Sequence, residues 1–253
     1  MKPISIQLYS LREEAKNDFA AVLKSVAEIG YRGVEPAEFY GLKPREFRRR
    51  VEDLGMTISS NHGPWPNRDN LNEVVDVASE LGVKTAVCGF GAEQFKDRAA
   101  IRDTADTVNF MIERLAAAGI TLAMHNHYWE FNQVEGRLAY DRLMEACPRL
   151  TSELDVYWAA NFGACNPAEV VARYRRRTPL LHMKDGPLVK GQPMLAVGSG
   201  RMDIPAVVRA ADESVLRWLV VELDSCATDM LRAVADSYRY LVGQGLADGN
   251  RPA

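Results

Sequence analysis

Short hydrophobic runs alternate with longer amphipathic stretches along most of this chain. The runs at 4–10, 33–35, 57–61, 85–88, 121–126, 151–155, 180–184 and 218–223 are rich in Val, Ile, Leu or Thr and are bounded by Gly, Pro, Asp or Asn, which reads as eight strands. Between them, apolar residues recur at helical spacing. Phe19, Val22, Leu23, Val26 and Ile29 form one stripe after an Asn17-Asp18 start and before Gly30, as an amphipathic helix requires. The same pattern predicts helices at 44–54, 71–81, 102–118, 140–146, 167–174, 205–211 and 228–243.

A helix–Gly–strand phrase recurs as AEIGYRGVE, EDLGMTISS, SELGVKTAV and AAAGITLAM. Glycine just past a helix adopts the left-handed conformation cheaply and turns the chain into the next strand. Eight strands in 253 residues leave about 32 residues per unit, room for a strand, a crossover helix and two loops. Mostly apolar strands without strict alternation point to a parallel sheet covered on both faces. The expected fold class is therefore α/β, a (β/α)8 TIM barrel in a single domain spanning residues 1–253, with 244–253 a loose tail. An open doubly wound sheet is the alternative, but the first strand ends Leu8-Tyr9-Ser10-Leu11-Arg12, without the glycine-rich phosphate turn of a dinucleotide-binding sheet.

Composition narrows the function classes without choosing one. Hydrophobic residues make up 47%, charged residues 26%, and the formal charge is −3, so no basic excess suggests nucleic acid as a partner. No apolar stretch approaches the roughly 18–20 residues of a membrane span, and Met1-Lys2-Pro3-Ile4 runs directly into a strand without a signal-peptide core. Cys88, Cys147, Cys165 and Cys226 are scattered, with neither zinc-knuckle nor disulfide spacing. The expectation is a cytoplasmic protein with reduced thiols, no membrane or nucleic-acid partner, and a small-molecule substrate; a homodimer is compatible with this.

The chain has only four histidines. All four, His62, His125, His127 and His182, fall at predicted strand C-termini, the end where a barrel gathers its chemistry. Glu35, Asp155, Lys184, Asp185, Glu222 and Asp224 fall at the same ends. Asp155, His182 and Glu222 come from three consecutive strands. A nitrogen and carboxylate set without thiolates suits one Mn²⁺, Co²⁺, Mg²⁺ or Zn²⁺ ion. A fourth ligand is expected from the fifth strand, whose end reads His125-Asn126-His127-Tyr128-Trp129-Glu130. Alternation puts His125 and His127 on one side, with His125 deeper and His127 and Glu130 further out, toward bound substrate. Lys184, two residues after His182, is read as facing the barrel mouth, where it holds an anionic oxygen or steadies an enolate; a surface salt bridge is the competing reading. Asp185 and Asp224 read as helix caps or supports of the ligands. Glu35 binds substrate or pairs with a cation, and Trp65, Trp129, Tyr157 and Trp158 stack on a sugar or fill the barrel top. Gly198-Ser199-Gly200-Arg201-Met202-Asp203-Ile204-Pro205 has the look of a phosphate cradle but reads better as a loop ending in an Asp N-cap with Pro in the first helical turn.

Residues 6–12 (IQLYSLR), 30–35 (GYRGVE), 125–131 (HNHYWEF), 154–158 (LDVYW), 182–185 (HMKD), 198–203 (GSGRMD) and 221–224 (VELD) make the chain similar to the xylose isomerase-like TIM-barrel superfamily, which includes sugar (phosphate) isomerases and epimerases, dehydratases and the family 2 AP endonucleases. The resemblance implies a divalent-metal enzyme acting on a keto sugar or sugar phosphate through an enediolate. Its epimerases bind metal through Glu, Asp, His and Glu of the last four strands, and the two glutamates move protons. Asp155, His182 and Glu222 match the last three positions, while His125 stands where the first glutamate belongs. The implied roles are therefore metal ligation by His125, Asp155, His182 and Glu222, with His127 or Glu130 open as replacement for the first. Catalysis is implied for His127, Glu130, Lys184 and Glu222, and substrate contact for Glu35, His62, Trp129 and Trp158. A lyase acting on a keto sugar or keto-inositol shares the enolate, and a non-catalytic sugar-binding barrel is the alternative of another class. A three-metal nuclease would need more histidines and a basic groove.

Overall fold

The computed structural model describes residues 1–251. Eight parallel strands, β1 (Lys2–Gln7), β2 (Gly33–Glu35), β3 (Thr57–Ile58), β4 (Thr85–Cys88), β5 (Thr121–His125), β6 (Thr151–Asp155), β7 (Leu180–Met183) and β8 (Trp218–Val221), follow one another around a ring. β1 pairs with both β2 and β8. β3 and β4 are joined just beyond β3, where Asn61 bridges Ala86, so the sheet closes as the (β/α)8 barrel that the sequence periodicity predicts. Five strands are shorter at their C-termini than their apolar runs, because those residues bend into the rim loops that carry the site.

Between the strands run helices whose apolar stripes face the barrel. In Arg12–Ile29, Phe19, Val22, Leu23 and Val26 are buried; burying such side chains contributes about 1.5–3 kcal/mol each. Asp18 leaves helical geometry within this segment, and its carboxylate accepts from the Ala21 amide at 2.9 Å, restarting the helix at the predicted place. Gly30, Gly55, Gly82 and Gly119, the glycines of the recurring phrase, all have positive φ, between 73° and 119°, a conformation that costs a residue with a Cβ more. Asp97, Asn166, Asp203 and Asp229 cap the helices that follow them.

Two features depart from expectation. The stretch after Gly243 is not loose as far as Arg251: Ala247–Asp248 pairs with Lys2 and Pro3 of β1, and the Arg251 amide and carbonyl both bond the Tyr238 hydroxyl. A hairpin, Gln133–Val134 with Arg137–Leu138, interrupts the loop after β5. No helix among the described residues is long and apolar enough to cross a membrane.

Candidate metal centre

Closure of the ring brings the C-terminal ends of seven strands onto one buried cluster with two layers. The inner layer is built on Glu35. Fully buried, its carboxylate accepts from Gln7 Nε2 at 2.8 Å and from the Ser60 hydroxyl, and it bonds His62 Nδ1 at 3.3 Å and His182 Nε2 at 2.8 Å. Glu153, in the middle of β6, lies beside it. Glu153 Oε2 is 3.0 Å from His62 Nδ1, 3.1 Å from His182 Nε2 and 3.3 Å from His125 Nδ1. None of these nitrogens is aligned to donate, and neither oxygen of this buried carboxylate has a hydrogen bond.

The outer layer holds Asp155, Glu222 and Asp224 around Lys184. The Lys184 ammonium is fully buried and 2.9 Å from each of the three carboxylates. His182 connects the layers, its Nδ1 lying 2.7 Å from Glu222 Oε2. The His125 and His182 rings are 4.7 Å apart. Asn126 fixes the β5–β6 junction by accepting from the Asp155 amide at 2.9 Å and donating to the Asp155 carbonyl at 3.1 Å. Asp155 Oδ1 then caps the turn at Val156–Ala159 through the Trp158 amide.

Burial and charge set the protonation pattern. Burial raises the Asp155 carboxyl to about 6 in spite of Lys184. Burial also raises Glu222, but Lys184 and His182 outweigh it and hold that carboxylate ionised. His125 is held well below the usual histidine range by burial and by the neighbouring His182 and His62, and His127 falls to about 4 through burial and Lys184. Burial opposes the charging of His62, yet Glu153 and Glu35 carry it up to about 10. Glu153 itself is raised by burial and by Glu35. Such displaced values gather where charges are buried for a task.

His125, Asp155, His182 and Glu222 offer donor atoms that all lie within 4.8 Å of one another, and His62, His125, Glu153 and His182 form a second such set. Both Glu153 oxygens are buried acceptors without a hydrogen bond, and Asp155 Oδ2 has only its ion pair with Lys184 at 2.9 Å. Buried carboxylate oxygens on Glu153 and Asp155 that flank the uncharged His125 ring at 3.3 and 3.9 Å fit a divalent cation, which satisfies them where protons do not.

A cavity of about 590 Å³ opens beside the cluster, with His62, His125, His127, Trp158, Glu222 and Asp224 in its wall. Four residues expected at substrate stand elsewhere. Glu35 has spent its carboxylate on four donors. Trp129 stacks on His127 at 4.3 Å between ring centres and donates its Nε1 to the Phe90 carbonyl, so it backs the histidine. Glu130 is fully buried and accepts from the His127 amide at 2.9 Å; burial lifts its carboxyl to about 8. Lys184 is neither a surface salt bridge nor a free cation, because three carboxylates surround it.

Glu153, Gln7 and Ser60 escaped the sequence reading. Glu153 carried a usable signal: it precedes Asp155 by two residues on one strand, and alternation sends both to the same side. The Gly198–Arg201 segment is the expected capped loop. Asp185 accepts from the amides of Gly186, Gly198, Gly200 and Met202, and Asp203 caps the next helix through Ala206.

The model of the xylose isomerase-like TIM barrel family matches residues 23–241. Among solved structures, a sugar phosphate isomerase/epimerase from Parabacteroides distasonis ATCC 8503 is similar at 25% identity with TM-score 0.81, covering 98% of this chain and 96% of that one. An L-ribulose 3-epimerase superimposes with TM-score 0.70 at 17% identity, covering 97% and 95%. A probable 3-DHS dehydratase from Bacillus anthracis does so with TM-score 0.71 at 13% identity, covering 95% and 98%. The last two share the fold. No protein of curated function matches this sequence.

Proposed function

From the premise that this chain belongs to the xylose isomerase-like TIM-barrel family, we propose that it is a divalent-metal-dependent isomerase or epimerase of a keto sugar. The observation that carries the reading is that Glu222 belongs both to the ligand cluster and to the cavity wall. His125, Asp155, His182 and Glu222 hold the cation. When bound, a divalent ion supplies Lewis-acid polarisation of a carbonyl and an adjacent hydroxyl.

Glu222, ionised beside Lys184, takes the proton from the carbon next to the carbonyl. The bonding pair moves onto the carbonyl oxygen to give an enediolate. His127 faces the same cavity with a neutral ring and an unpartnered Nδ1, and it relays a proton on the other side of the substrate. Trp129 and Glu130 act by fixing His127.

His125 in place of a glutamate supports a second reading, a lyase in which the same enediolate expels a β-substituent instead of regaining a proton. Incubation with keto sugars in D₂O separates the two. Deuterium incorporation without loss of a substituent is expected for the first reading, and release of a hydroxyl or glycosyl group would replace it with the second. Chelator should abolish either activity and Mn²⁺ restore it; binding indifferent to chelator and no exchange would leave only a sugar-binding barrel.

The acid–base state of Asp155 gives a separate check. This carboxyl must lose its proton to ligate, so protons compete with the metal below its pKa of about 6. Glu153 and Glu35 outweigh burial and hold His182 protonated as well, so Mn²⁺ affinity, titrated calorimetrically, should fall as pH falls and do so more steeply below about pH 6, where Asp155 also takes up a proton. A flat profile down to pH 5 would remove Asp155 from the ligand set.

A further inference from the structure

The cavity wall is aromatic and acidic, and this bears on what the enzyme turns over. Tyr9 and Trp65 are 42% and 41% exposed, and both line the cavity. Exposed large apolar side chains that converge on one pocket mark a binding surface. Trp65 is held in place. Its indole lies against the bare backbone of Gly89, where a Cβ would come within 2.7 Å of the ring. Its carbonyl accepts from Asn70 Nδ2 at 3.0 Å, and its ring centre is 5.9 Å from that of His62. Tyr9 is braced by its amide bond to Gln7 Oε1 at 3.0 Å and by the Arg12 guanidinium stacked at 4.0 Å.

An anionic group finds no host here. Among the described residues that line the cavity, none is Lys or Arg, His62 lies against the Glu35 and Glu153 carboxylates through Nδ1 at 3.3 and 3.0 Å, and Glu222 and Asp224 are acidic. Lys184 is taken up by three carboxylates. Arg12 donates to the carbonyls of Tyr9 and Asp224. The amides of Gly198, Gly200 and Met202, which would otherwise form an anion nest, are filled by the Asp185 carboxylate. Phosphate recognition needs such donors. The cavity's size, about 590 Å³, falls in the roughly 300–1,000 Å³ range that encloses ligands larger than one hexose.

We propose that the substrate is an uncharged keto sugar extended by a second ring, sugar or aromatic, that lies on Trp65 and Tyr9, and not a sugar phosphate. The inference rests on the proposed function. The carbonyl end would lie at the ligand cluster, and the aromatic wall reads the remote part of the molecule, whose binding energy helps to position the reacting end.

Calorimetry on the full chain loaded with Mn²⁺ tests this with four probes: D-fructose, D-fructose 6-phosphate, lactulose and 6-O-benzyl-D-fructose. Lactulose or the benzyl ether should bind about tenfold tighter than fructose, and fructose 6-phosphate more weakly than fructose. Whether lactulose or the ether gains more tells a sugar from an aromatic second ring. Trp65→Ala, at an exposed position, should remove the advantage of the extended ligand and leave fructose affinity unchanged. Tighter binding of fructose 6-phosphate than of fructose overturns the proposal and leaves the ketose reading standing. So does the absence of any gain from a second ring, or a gain that survives Trp65→Ala. Failure of all four to bind overturns both.

Discussion

Replacing His182 with alanine is expected to remove the metal and lower kcat/KM by more than about 100-fold, since even the outer partners of metal ligands are worth 10–100-fold. His182 is hydrogen-bonded into both layers, with Nδ1 toward Glu222 and Nε2 toward Glu35 at 2.7 and 2.8 Å. Its loss also deprives Glu35 of a partner, so the same variant should unfold at a lower temperature. Elemental analysis of the purified variant, with circular dichroism to show that it is folded, checks the expectation. Full metal content at undiminished affinity in a folded His182→Ala protein would end the proposed assignment of ligands.

Lys184→Met should be the most destabilising single change at this rim. It removes a fully buried ammonium from Asp155, Glu222 and Asp224. Breaking a buried ionic group by deleting one partner costs about 3–5 kcal/mol. The sign of the pH effect follows from Asp155. Its carboxyl already stands at about 6 with the lysine beside it, and without the lysine it rises further. The folded variant then binds more protons than its unfolded chain, so its stability falls as pH rises. Urea unfolding with chelator present should show a larger deficit against the parent at pH 8 than at pH 5.5. A deficit independent of pH would mean that the lysine contributes packing and not charge compensation.

How much of the site could be read from the sequence differs residue by residue. His62, His125, Asp155, His182 and Glu222 stand at strand ends in the sequence, and they meet in space because the barrel converges there. Glu35 was read at the same rim, yet its carboxylate is not free for substrate. Gln7, Ser60, His62 and His182, which occupy it, come from β1, from β7 and from the residues following β3, and His182 is 147 positions away. Trp129 and Trp158 looked alike as rim aromatics. Only the fold turns one toward His127 as a backing ring and leaves the other in the cavity wall. Lys184 follows His182 by two residues and is buried, but its three carboxylates, one on β6 and two just beyond β8, are invisible to local spacing.

By itself the sequence determined the barrel, its eight strands, its helix stops and the edge on which the histidines collect. These depend on periodicity, capping and glycine conformation, which act within a few residues along the chain. The tertiary structure decided which donors converge, which carboxylates are spent on neighbours and which rings are left neutral. Those properties depend on burial and on charges 3–5 Å apart that are tens of residues distant in sequence, where no local pattern reaches.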